Sequence, residues 1–411
     1  MADGDITSVD AHLERILAAI EPLPDFPQPL MEALDLPIAE DVHADIPLPS
    51  FDNSGMDGYA VCHRDVVTAS DEFPVHLPVV GEIGAGNAQL LAMSPGTAVK
   101  IMTGAPVPAG ADTVVPYEWT DRGVAQVRIT RAPAEGQHVR SAGEDVSKGD
   151  LLVEHGTVLG PRHLGLLAAV GRATVRSRPR PRVVVISTGS ELRDPGQPLG
   201  HDSIYDGNSY LLAASARAAG AIAYRVGIVP DDPHTFTDAL SDQLVRADLV
   251  VTSGGVGEGD FDVVKEALSE LGSVWFGGVA MQPGKPQGFG TVGEDATPIF
   301  TLPGNPVSAY VSFEAFVLPA IRRMMGKLPY TRPTRRARLT HPISSPAGKQ
   351  QMVRGAYDVD RGGAFVTPVG GHGSHLLGDL AASNALVVVP ADATSVTAGE
   401  MVQVLKLDED F

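Results

Sequence analysis

The chain has 411 residues, of which 43% are hydrophobic and 20% charged, as is typical of a soluble protein with two to four domains. Its net charge of −19 argues against nucleic acid as a general partner, since phosphate binding needs clustered Lys and Arg, and no run approaches the roughly 18 apolar residues of a membrane span. The single cysteine, Cys62, excludes an internal disulfide and a multi-cysteine metal site. The acidic N-terminus lacks the basic and apolar regions of a signal peptide, so a cytoplasmic protein is expected.

The N-terminal part predicts one helix followed by a small β-rich domain. Apolar residues recur at helical spacing in 5–20, which predicts an amphipathic helix, and the proline-rich run 22–37 ends it. The turn formers concentrated in 51–58 are typical of a surface turn that leads into a strand. Short β-like segments separated by glycine turns then predict a small β domain, with strands at 59–62, 75–80, 98–102, 113–116 and 125–130.

The central part predicts an open α/β sheet. A helix is expected at 161–170, with Pro161 suited to its first turn. The arginine-proline run 176–182 is expected to be a solvated linker, with anion binding as the alternative. From residue 183, strands alternate with helices, which predicts a doubly wound, mostly parallel sheet. The expected strands are 183–187, 223–229, 249–251, 273–281 and 298–302, and the expected helices are 208–219, 233–246, 263–271 and 307–325.

The last part of the chain returns to short β segments. After a hinge at 326–334, five short apolar and β-branched segments follow, at 337–340, 352–359, 364–368, 386–390 and 401–405. Five short strands in one compact stretch predict a small β-barrel or sandwich.

A glycine-rich turn links the strand at 249–251 to the helix at 263–271. It has four glycines between 254 and 259, and it closes with Asp260 and Asp262. Glycines let the backbone approach an anion, but the two carboxylates would repel a bare phosphate, so a divalent cation between them is indicated. The alternative is a helix whose acidic first turn is stabilised by the helix dipole alone.

Three further loops follow the carboxyl ends of strands in the same predicted sheet. Ligands of open α/β sheets bind outside these strand ends, so we expect the loops to converge on one crevice. Each acid alone is equally well explained as a helix N-cap, but together the acids predict a nucleotide or phosphate site with Mg²⁺. The loops carry Thr188, Gly189 and Glu191, then Asp231 and Asp232, then Gly284 and Lys285.

Several other motifs are rejected as sites. Lys285 does not belong to a P-loop, because no Ser or Thr follows it and Pro286 lacks an N–H. No G-x-G-x-x-G follows the first strand of the α/β part, and the histidines form no H-E-x-x-H motif. The glycine-rich turn around Ser374 could donate to an oxyanion, although a plain strand connection is the favoured interpretation.

A series of motifs occurs in one order along most of the chain: FDNSGMDGYAV, GEIGAG, IMTGAPVPAGAD, GEDVSKGD, STGSEL, IYDGN, TSGGVGEGDFD, PGKP and LPGNPVSAY, with GHGSHLLGDLAASNAL as a weaker match in the tail. With these motifs the chain resembles the molybdopterin molybdenumtransferase family, whose members carry out the last step of molybdenum cofactor synthesis. The same family forms one domain of gephyrin. The ordered series is far more specific than any one of its motifs.

The resemblance implies a multidomain α/β protein. The implied domains are a split, elongated helical and mixed dimerisation domain at 1–50 and 144–177, an inserted β-rich domain at 51–143, an α/β molybdopterin-binding domain at 178–327, and a small C-terminal β-barrel at 328–411. It also implies a homodimer whose site lies between the α/β domain of one subunit and the inserted domain of the other.

The implied reaction converts adenylated molybdopterin and molybdate into molybdenum cofactor and AMP, with Mg²⁺. Carried over motif by motif, the catalytic residues are Asp57, Thr103, Asp145, Glu191, Asp231 and Asp262, of which Glu191, Asp231 and Asp262 hold the metal. The implied substrate-binding residues are Thr188, Gly189, Ser253, Gly254, Gly255, Asp260, Lys285, Pro303, Arg354 and Ser374. Of these, Lys285 would balance phosphate charge, and Arg354 and Ser374 would bind the pterin or molybdate.

Three positions depart from the family pattern. Gly55 and Gly257 are mild changes from Ala and Ser, whereas Gln282 replaces a lysine found in many members and removes one positive charge. Two alternatives stay open: a paralogue that handles tungstate or performs only adenylation, and a non-catalytic molybdopterin-binding scaffold. The implied partners are a molybdopterin adenylyltransferase-type enzyme as substrate donor, and molybdoenzymes or their chaperones as acceptors.

Overall fold

The computed structural model describes residues 6–86, 92–255 and 263–411. These residues form two compact units. We call 28–34 with 40–175 the β unit, and the rest of the chain (up to 27, 35–39 and 176–411) the α/β unit. In the described ranges, no helix is long and apolar enough to cross a membrane.

The first helix, α1 (Val9–Ala19), belongs to the α/β unit. Its N-cap is Ser8, whose Oγ accepts the N–H of Ala11 at 3.1 Å. Val9 and Ile16 pack into the main core of this unit, so the helix predicted at 5–20 forms over a shorter range. On the same buried face, the imidazole of His12 lies between Trp275 and Phe316, with ring centroids 5.0 and 4.8 Å away.

His12 makes the stability of the protein depend on pH. Burial, and secondly the charge of Arg15, lower the pKa of His12 to about 4 from 6.5. The unfolded chain therefore binds a proton that the folded chain rejects between pH 6.5 and 4, so stability falls as the pH drops through this window. We expect the wild type to lose about 3 kcal/mol more than His12→Phe between pH 7 and 4.

Urea unfolding of both proteins across this pH range measures the difference. His201→Phe is the control, because His201 is exposed and its loss should leave the pH profile parallel to that of the wild type. Equal pH profiles for wild type and His12→Phe would show that His12 does not titrate as described.

The β unit is built on a five-stranded sheet. Its strands are β1 (Gly58–Val61), β2 (Val75–Ile83), β3 (Ala98–Ile101), β4 (Thr113–Pro116) and β5 (Gln126–Ile129), in the order β4-β1-β3-β2-β5. These strands lie where the sequence predicts them. Helix α2 (Pro161–Ala169) begins with Pro161 at its first position, as expected. Shorter strands pair Val42–His43 with Leu151–Val153, and Asn53–Ser54 with Val139–Arg140.

The α/β unit contains a six-stranded sheet in the order β7-β6-β8-β11-β10-β9. Neighbours from β7 to β11 are parallel, and the two pairs that include β10 are antiparallel. Strand β10 is absent from the sequence-based prediction. The strands are β6 (Arg182–Ser187), β7 (Ile222–Arg225), β8 (Leu249–Ser253), β9 (Val274–Gly278), β10 (Pro286–Val292) and β11 (Thr297–Leu302).

Helices cover both faces of this sheet. Along β6, Val183 and Val185 belong to one core, and Val184 and Ile186 belong to the other, as the alternation of side chains in a strand requires. The first core contains side chains of α1 and three other helices, α3 (Asn208–Ala218), α6 (Pro306–Ser312) and α7 (Leu318–Met325), with a π-helical segment, Phe313–Val317, between the last two. The second core contains α4 (Pro233–Leu244) and α5 (Val263–Ser269).

In the arginine-proline run 176–182, which was expected to be a solvated linker, Arg176 and Arg182 are exposed but bind carboxylates of the α/β unit. Arg176 donates from Nε to Asp25 Oδ2 at 2.7 Å. Arg182, at the start of β6, forms a bidentate pair with Asp248, with N···O distances of 3.0 and 2.8 Å. Prolines prevent a helix here, and the arginines fix the run to the α/β unit through charge-assisted hydrogen bonds.

The C-terminal region is a closed five-stranded barrel, which confirms the predicted number of strands and decides between barrel and sandwich. The strands are paired in the circle β12-β14-β13-β15-β16-β12. Their bounds are β12 (Thr334–Leu339), β13 (Gln350–Asp360), β14 (Gly363–Pro368), β15 (Ala385–Val389) and β16 (Met401–Lys406), and a short helix, α8 (Leu377–Ala381), precedes β15.

Candidate active site

A cavity of about 520 Å³ lies at the carboxyl edge of the parallel strands of the α/β unit. This volume suits a ligand of cofactor size. The cavity is lined by loops after four adjacent strands, β7, β6, β8 and β11, and by the segment that leads into α3. None of its described lining residues is Lys, Arg or His; they lie at 187–189, 191–192, 204–208, 231, 253–255, 286, 303–306 and 377.

The loop after β6 presents Glu191 to the cavity. Its backbone is held by two neighbouring segments, since Thr188 N–H donates to Ser253 O at 3.3 Å and Gly189 N–H donates to Val229 O at 3.2 Å. A Cβ on Gly189 would lie 2.8 Å from Glu191 Oε2. The glycine therefore leaves the space that the exposed carboxylate of Glu191 occupies.

The loop after β7 presents Asp231. Ser190 N–H donates to Asp231 Oδ2 at 2.8 Å, and Asp231 N–H donates to Ser190 Oγ at 3.2 Å, so the two acidic loops are tied together. The neighbouring Asp232 instead caps α4, where it accepts from the hydroxyl and N–H of Thr235 at 2.7 and 2.8 Å. These bonds, the hydroxyl first, lower the pKa of Asp232. Of this acidic pair, Asp231 is the residue that lines the cavity.

The loops after β8 and β11 form the remaining wall. Gly254 has φ of +99°, and a Cβ there would lie 2.9 Å from Thr188 O. Only glycine fits this approach of two loops. Ser253, Gly255 and Pro303 also line the cavity, so eight of the residues implied by the family motifs meet here: Thr188, Gly189, Glu191, Asp231, Ser253, Gly254, Gly255 and Pro303.

Among the polar cavity residues that were not predicted as site residues, two belong to the motif IYDGN and make several hydrogen bonds. Asp206 is 2% exposed and accepts from Ser187 Oγ at 3.2 Å and from Ser209 Oγ at 2.6 Å. Asn208 donates from Nδ2 to Ser253 Oγ at 2.8 Å and to Gly304 O at 2.6 Å. Asp206 and Asn208 thus connect the start of α3 to the loops around it.

The structure describes two of the three predicted metal ligands, Glu191 and Asp231. Glu191 and Asp231 line one cavity and offer carboxylate oxygens, the ligands that Mg²⁺ prefers. Asp260 and Asp262, with Gly257 and Gly259 of the same turn, lie outside the described residues. Within the described ranges, no three His, Cys, Asp or Glu side chains form a metal cluster.

Three further predicted residues of the α/β unit do not line this cavity. Lys285 is exposed, and Ser374 accepts the N–H of Val307 through its carbonyl at 3.0 Å. Arg354 is 4% exposed, and its guanidinium donates to the carbonyls of Gly371, Gly373 and Leu376. Burial lowers the pKa of Arg354. The prediction that Lys285 lies in this crevice is therefore wrong.

Arg354 instead lines a second, small cavity of about 20 Å³. Gln282, the position that departs from the family pattern, lines it too, together with Gln351 and His372. Gln351 Nε2 and His372 Nδ1 are 3.2 Å apart. Strand pairing between Met281–Gln282 and the start of β13 brings these groups together.

The remaining predicted residues lie in the β unit. Thr103 donates its N–H and its hydroxyl to Asp57 Oδ1, at 2.7 and 2.8 Å. These two bonds lower the pKa of Asp57, so the exposed carboxylate is charged at neutral pH. Asp145 is also exposed, and its N–H donates to Leu48 O at 3.0 Å.

Three family profiles cover most of the chain. They are described as the MoeA N-terminal region (domain I and II), matching 7–171, a probable molybdopterin binding domain, matching 184–323, and the MoeA C-terminal region (domain IV), matching 336–407. Molybdopterin molybdenumtransferase 2 of Mycobacterium tuberculosis is 47% identical over 92% of this chain and 94% of its own length.

The chain belongs to the molybdopterin molybdenumtransferase family. It is an enzyme of molybdenum cofactor biosynthesis, as the motifs predicted. Other members are more distant: the molybdopterin molybdenumtransferase of Nostoc is 37% identical over 90% of this chain and 86% of its own length, and that of Bacillus subtilis is 35% identical over 93% and 89%.

A solved structure confirms the fold assigned to this molybdopterin molybdenumtransferase family member. The molybdopterin biosynthesis MoeA protein of Pyrococcus horikoshii matches 98% of this chain and 100% of its own, with a TM-score of 0.83 and 31% identity. The likeness thus extends over nearly the whole chain.

Proposed function

We propose that the enzyme inserts molybdate into adenylated molybdopterin, with Mg²⁺-dependent release of AMP. One observation carries this proposal: Glu191 and Asp231, from adjacent loops tied together through Ser190, present carboxylates to a single cavity without a lysine, arginine or histidine among its described lining residues. Such a surface would repel an anionic diphosphate, so the arrangement favours a divalent cation that these carboxylates would hold.

The donor set fits Mg²⁺ in type and number. Mg²⁺ is usually held by one or two carboxylates, with waters and substrate phosphates completing its shell. Glu191 and Asp231 would hold it here, with Asp262 as a proposed third ligand. When bound, Mg²⁺ neutralises charge on the diphosphate and makes AMP a better leaving group.

The protein's own part is to fix these oxygens and limit the space around them. The hydrogen bond from Ser190 N–H holds the carboxylate of Asp231 in place, and the space beside Gly189 admits that of Glu191. A preorganised charge arrangement of this kind needs little rearrangement during the reaction. Thr188, Gly189, Ser253, Gly254, Gly255 and Pro303 are proposed to contact the substrate.

Residues of the β unit are proposed to complete the site from a second copy of the chain. Asp57, Thr103 and Asp145 have exposed side chains, and Asp57 is held in one orientation by Thr103. Exposed, oriented polar groups of this kind suit a site that is complete only in a homodimer. The four-domain division stated above, and a cytoplasmic location, are part of the same proposal.

The C-terminal residues keep their proposed roles in binding pterin or molybdate. Arg354 and Ser374 lie beside the second cavity or the loop next to it. Asp260 is proposed to act near the phosphates. The proposed partners are an adenylyltransferase-type enzyme that delivers adenylated molybdopterin, and molybdoenzymes or their chaperones that accept the product.

AMP release from adenylated molybdopterin, with and without molybdate and Mg²⁺, tests the proposal. Release that requires both ions is the expected result. Release that ignores molybdate but responds to tungstate would favour a paralogue for another oxyanion. Binding of the pterin without release under any condition would favour a non-catalytic scaffold and contradict the proposal.

A further inference from the structure

Two polar side chains and one backbone carbonyl meet between the loops of the cavity. Asn208 Nδ2 lies 2.6 Å from Gly304 O and 2.8 Å from Ser253 Oγ. A carbonyl oxygen can only accept, so the amide must present its NH₂ group to Gly304. The same NH₂ group therefore donates to Ser253 Oγ, and the hydroxyl of Ser253 serves Asn208 as an acceptor.

The hydroxyl proton of Ser253 must then point elsewhere. Ser253 is 3% exposed and lines the cavity, and among the described residues no group accepts from its Oγ. A buried donor without an acceptor costs about 1–3 kcal/mol. Asn208 thus fixes Ser253 as a donor whose acceptor is missing from the described part of the chain.

Thr188 is a second donor of the same kind. It is 6% exposed and lines the same cavity, and its buried Oγ1 has no hydrogen-bond partner. Gly254 lies against it, since a Cβ at residue 254 would be 3.1 Å from Thr188 Oγ1. A side chain at residue 254 would therefore crowd this hydroxyl.

We propose that the hydroxyls of Thr188 and Ser253 form a pair of neutral donors for a phosphoryl oxygen of the substrate, with Asn208 as the positioning residue that directs Ser253. This inference rests on the proposed function and deepens it. The carboxylates of Glu191 and Asp231 would hold the metal, and the hydroxyl pair would donate to phosphoryl oxygens directly. Neutral donors suit this task, because a hydroxyl donates a hydrogen bond to a phosphoryl oxygen without adding a charge beside the carboxylates.

Equilibrium binding of adenylated molybdopterin, measured by ultrafiltration with Mg²⁺ and without molybdate, tests the proposal. We expect Thr188→Val and Ser253→Ala each to raise Kd about 10- to 100-fold, because each loses a hydrogen bond to a charged group. Thr188→Ser keeps the hydroxyl and should stay within a few-fold of the wild type. Because the valine removes an unpartnered buried hydroxyl, the thermal midpoint of Thr188→Val should be unchanged or higher.

Thr252→Val is the matched control. Thr252 is fully buried in β8 next to Ser253, and its Oγ1 also lacks a partner, but it does not line the cavity. Its loss should leave Kd unchanged. If Thr188→Val and Ser253→Ala bound adenylated molybdopterin as tightly as the wild type, the hydroxyl pair would be overturned. The proposed function would remain intact.

The role of Asn208 has a separate signature. If Asn208 acts through Ser253, Asn208→Ala weakens binding alone but adds nothing in the Ser253→Ala background. Additive losses would overturn the positioning role. Failure of the wild type itself to bind adenylated molybdopterin would overturn the proposed function together with this inference, so the two failures are distinguishable.

Discussion

Replacing Glu191 with glutamine is expected to slow AMP release from adenylated molybdopterin by about 100-fold or more, because a metal contributes several kcal/mol to stabilising developing charge. Glutamine keeps the size of the side chain but offers a weaker, neutral ligand. The side chain is exposed, so the free energy of unfolding should change by less than about 0.5 kcal/mol. Single-turnover AMP release at saturating substrate measures the effect.

Glu294→Gln is the matched control for this prediction. Glu294 is exposed in the turn between β10 and β11, at the end of the sheet opposite to the cavity, and the substitution removes the same charge. It should leave AMP release unchanged. Raising the Mg²⁺ concentration should restore part of the activity of Glu191→Gln. If Glu191→Gln released AMP as fast as Glu294→Gln, Glu191 would have no part in holding the metal.

Arg332→Met is expected to lower the free energy of unfolding by about 3–5 kcal/mol, because it leaves a buried carboxylate without its cation. Arg332 Nε donates to Glu314 Oε2 at 2.9 Å, and the two side chains are 11% and 6% exposed. Arg332 also donates to the carbonyls of Lys406 and Glu409, both at 2.8 Å. It therefore joins helix 306–325 to the end of the chain. The urea midpoint of unfolding measures the loss.

An exposed ion pair at the C-terminal barrel, between Arg335 and Glu409, provides the comparison. Arg335 binds Glu409 at 3.0 Å, but its side chain is 55% exposed, so Arg335→Met should cost less than about 1 kcal/mol. Adding Glu314→Gln to Arg332→Met should recover part of the stability, since the remaining charge is removed. If Arg332→Met and Arg335→Met lowered the free energy of unfolding equally, the result would contradict the buried ion pair of Arg332 with Glu314.

Most of the fold could be predicted from the pattern of apolar residues, and the exception has a physical reason. Strand β10 begins with Pro286 and contains Gly288 and Gly290, which are typical of loops rather than strands. Both glycines are required by neighbouring strands: a Cβ would lie 2.0 Å from Thr301 Oγ1 at residue 288, and 2.2 Å from Ser273 O at residue 290. Close packing between strands is a tertiary constraint that local propensity does not contain.

The site could be predicted where its residues lie in loops that follow strands of the predicted parallel sheet. Glu191 and Asp231 were found in this way, because β6 and β7 are neighbours in the sheet. Lys285 follows β9 as well, but that strand lies at the far edge, separated from β8 by two others. Asn208 follows only the two-residue strand Ile204–Tyr205, so the pattern indicates a turn and gives no sign of its bonds to two other loops.

The cavity's role is tested most directly by locating the metal with the substrate present. Mn²⁺ also prefers oxygen ligands, so it can replace Mg²⁺ in crystals of the protein grown with adenylated molybdopterin. We expect an anomalous difference peak within about 2.0–2.5 Å of carboxylate oxygens of Glu191 and Asp231, beside the diphosphate. Substrate and metal bound elsewhere, with this cavity empty, would contradict the assignment of the site.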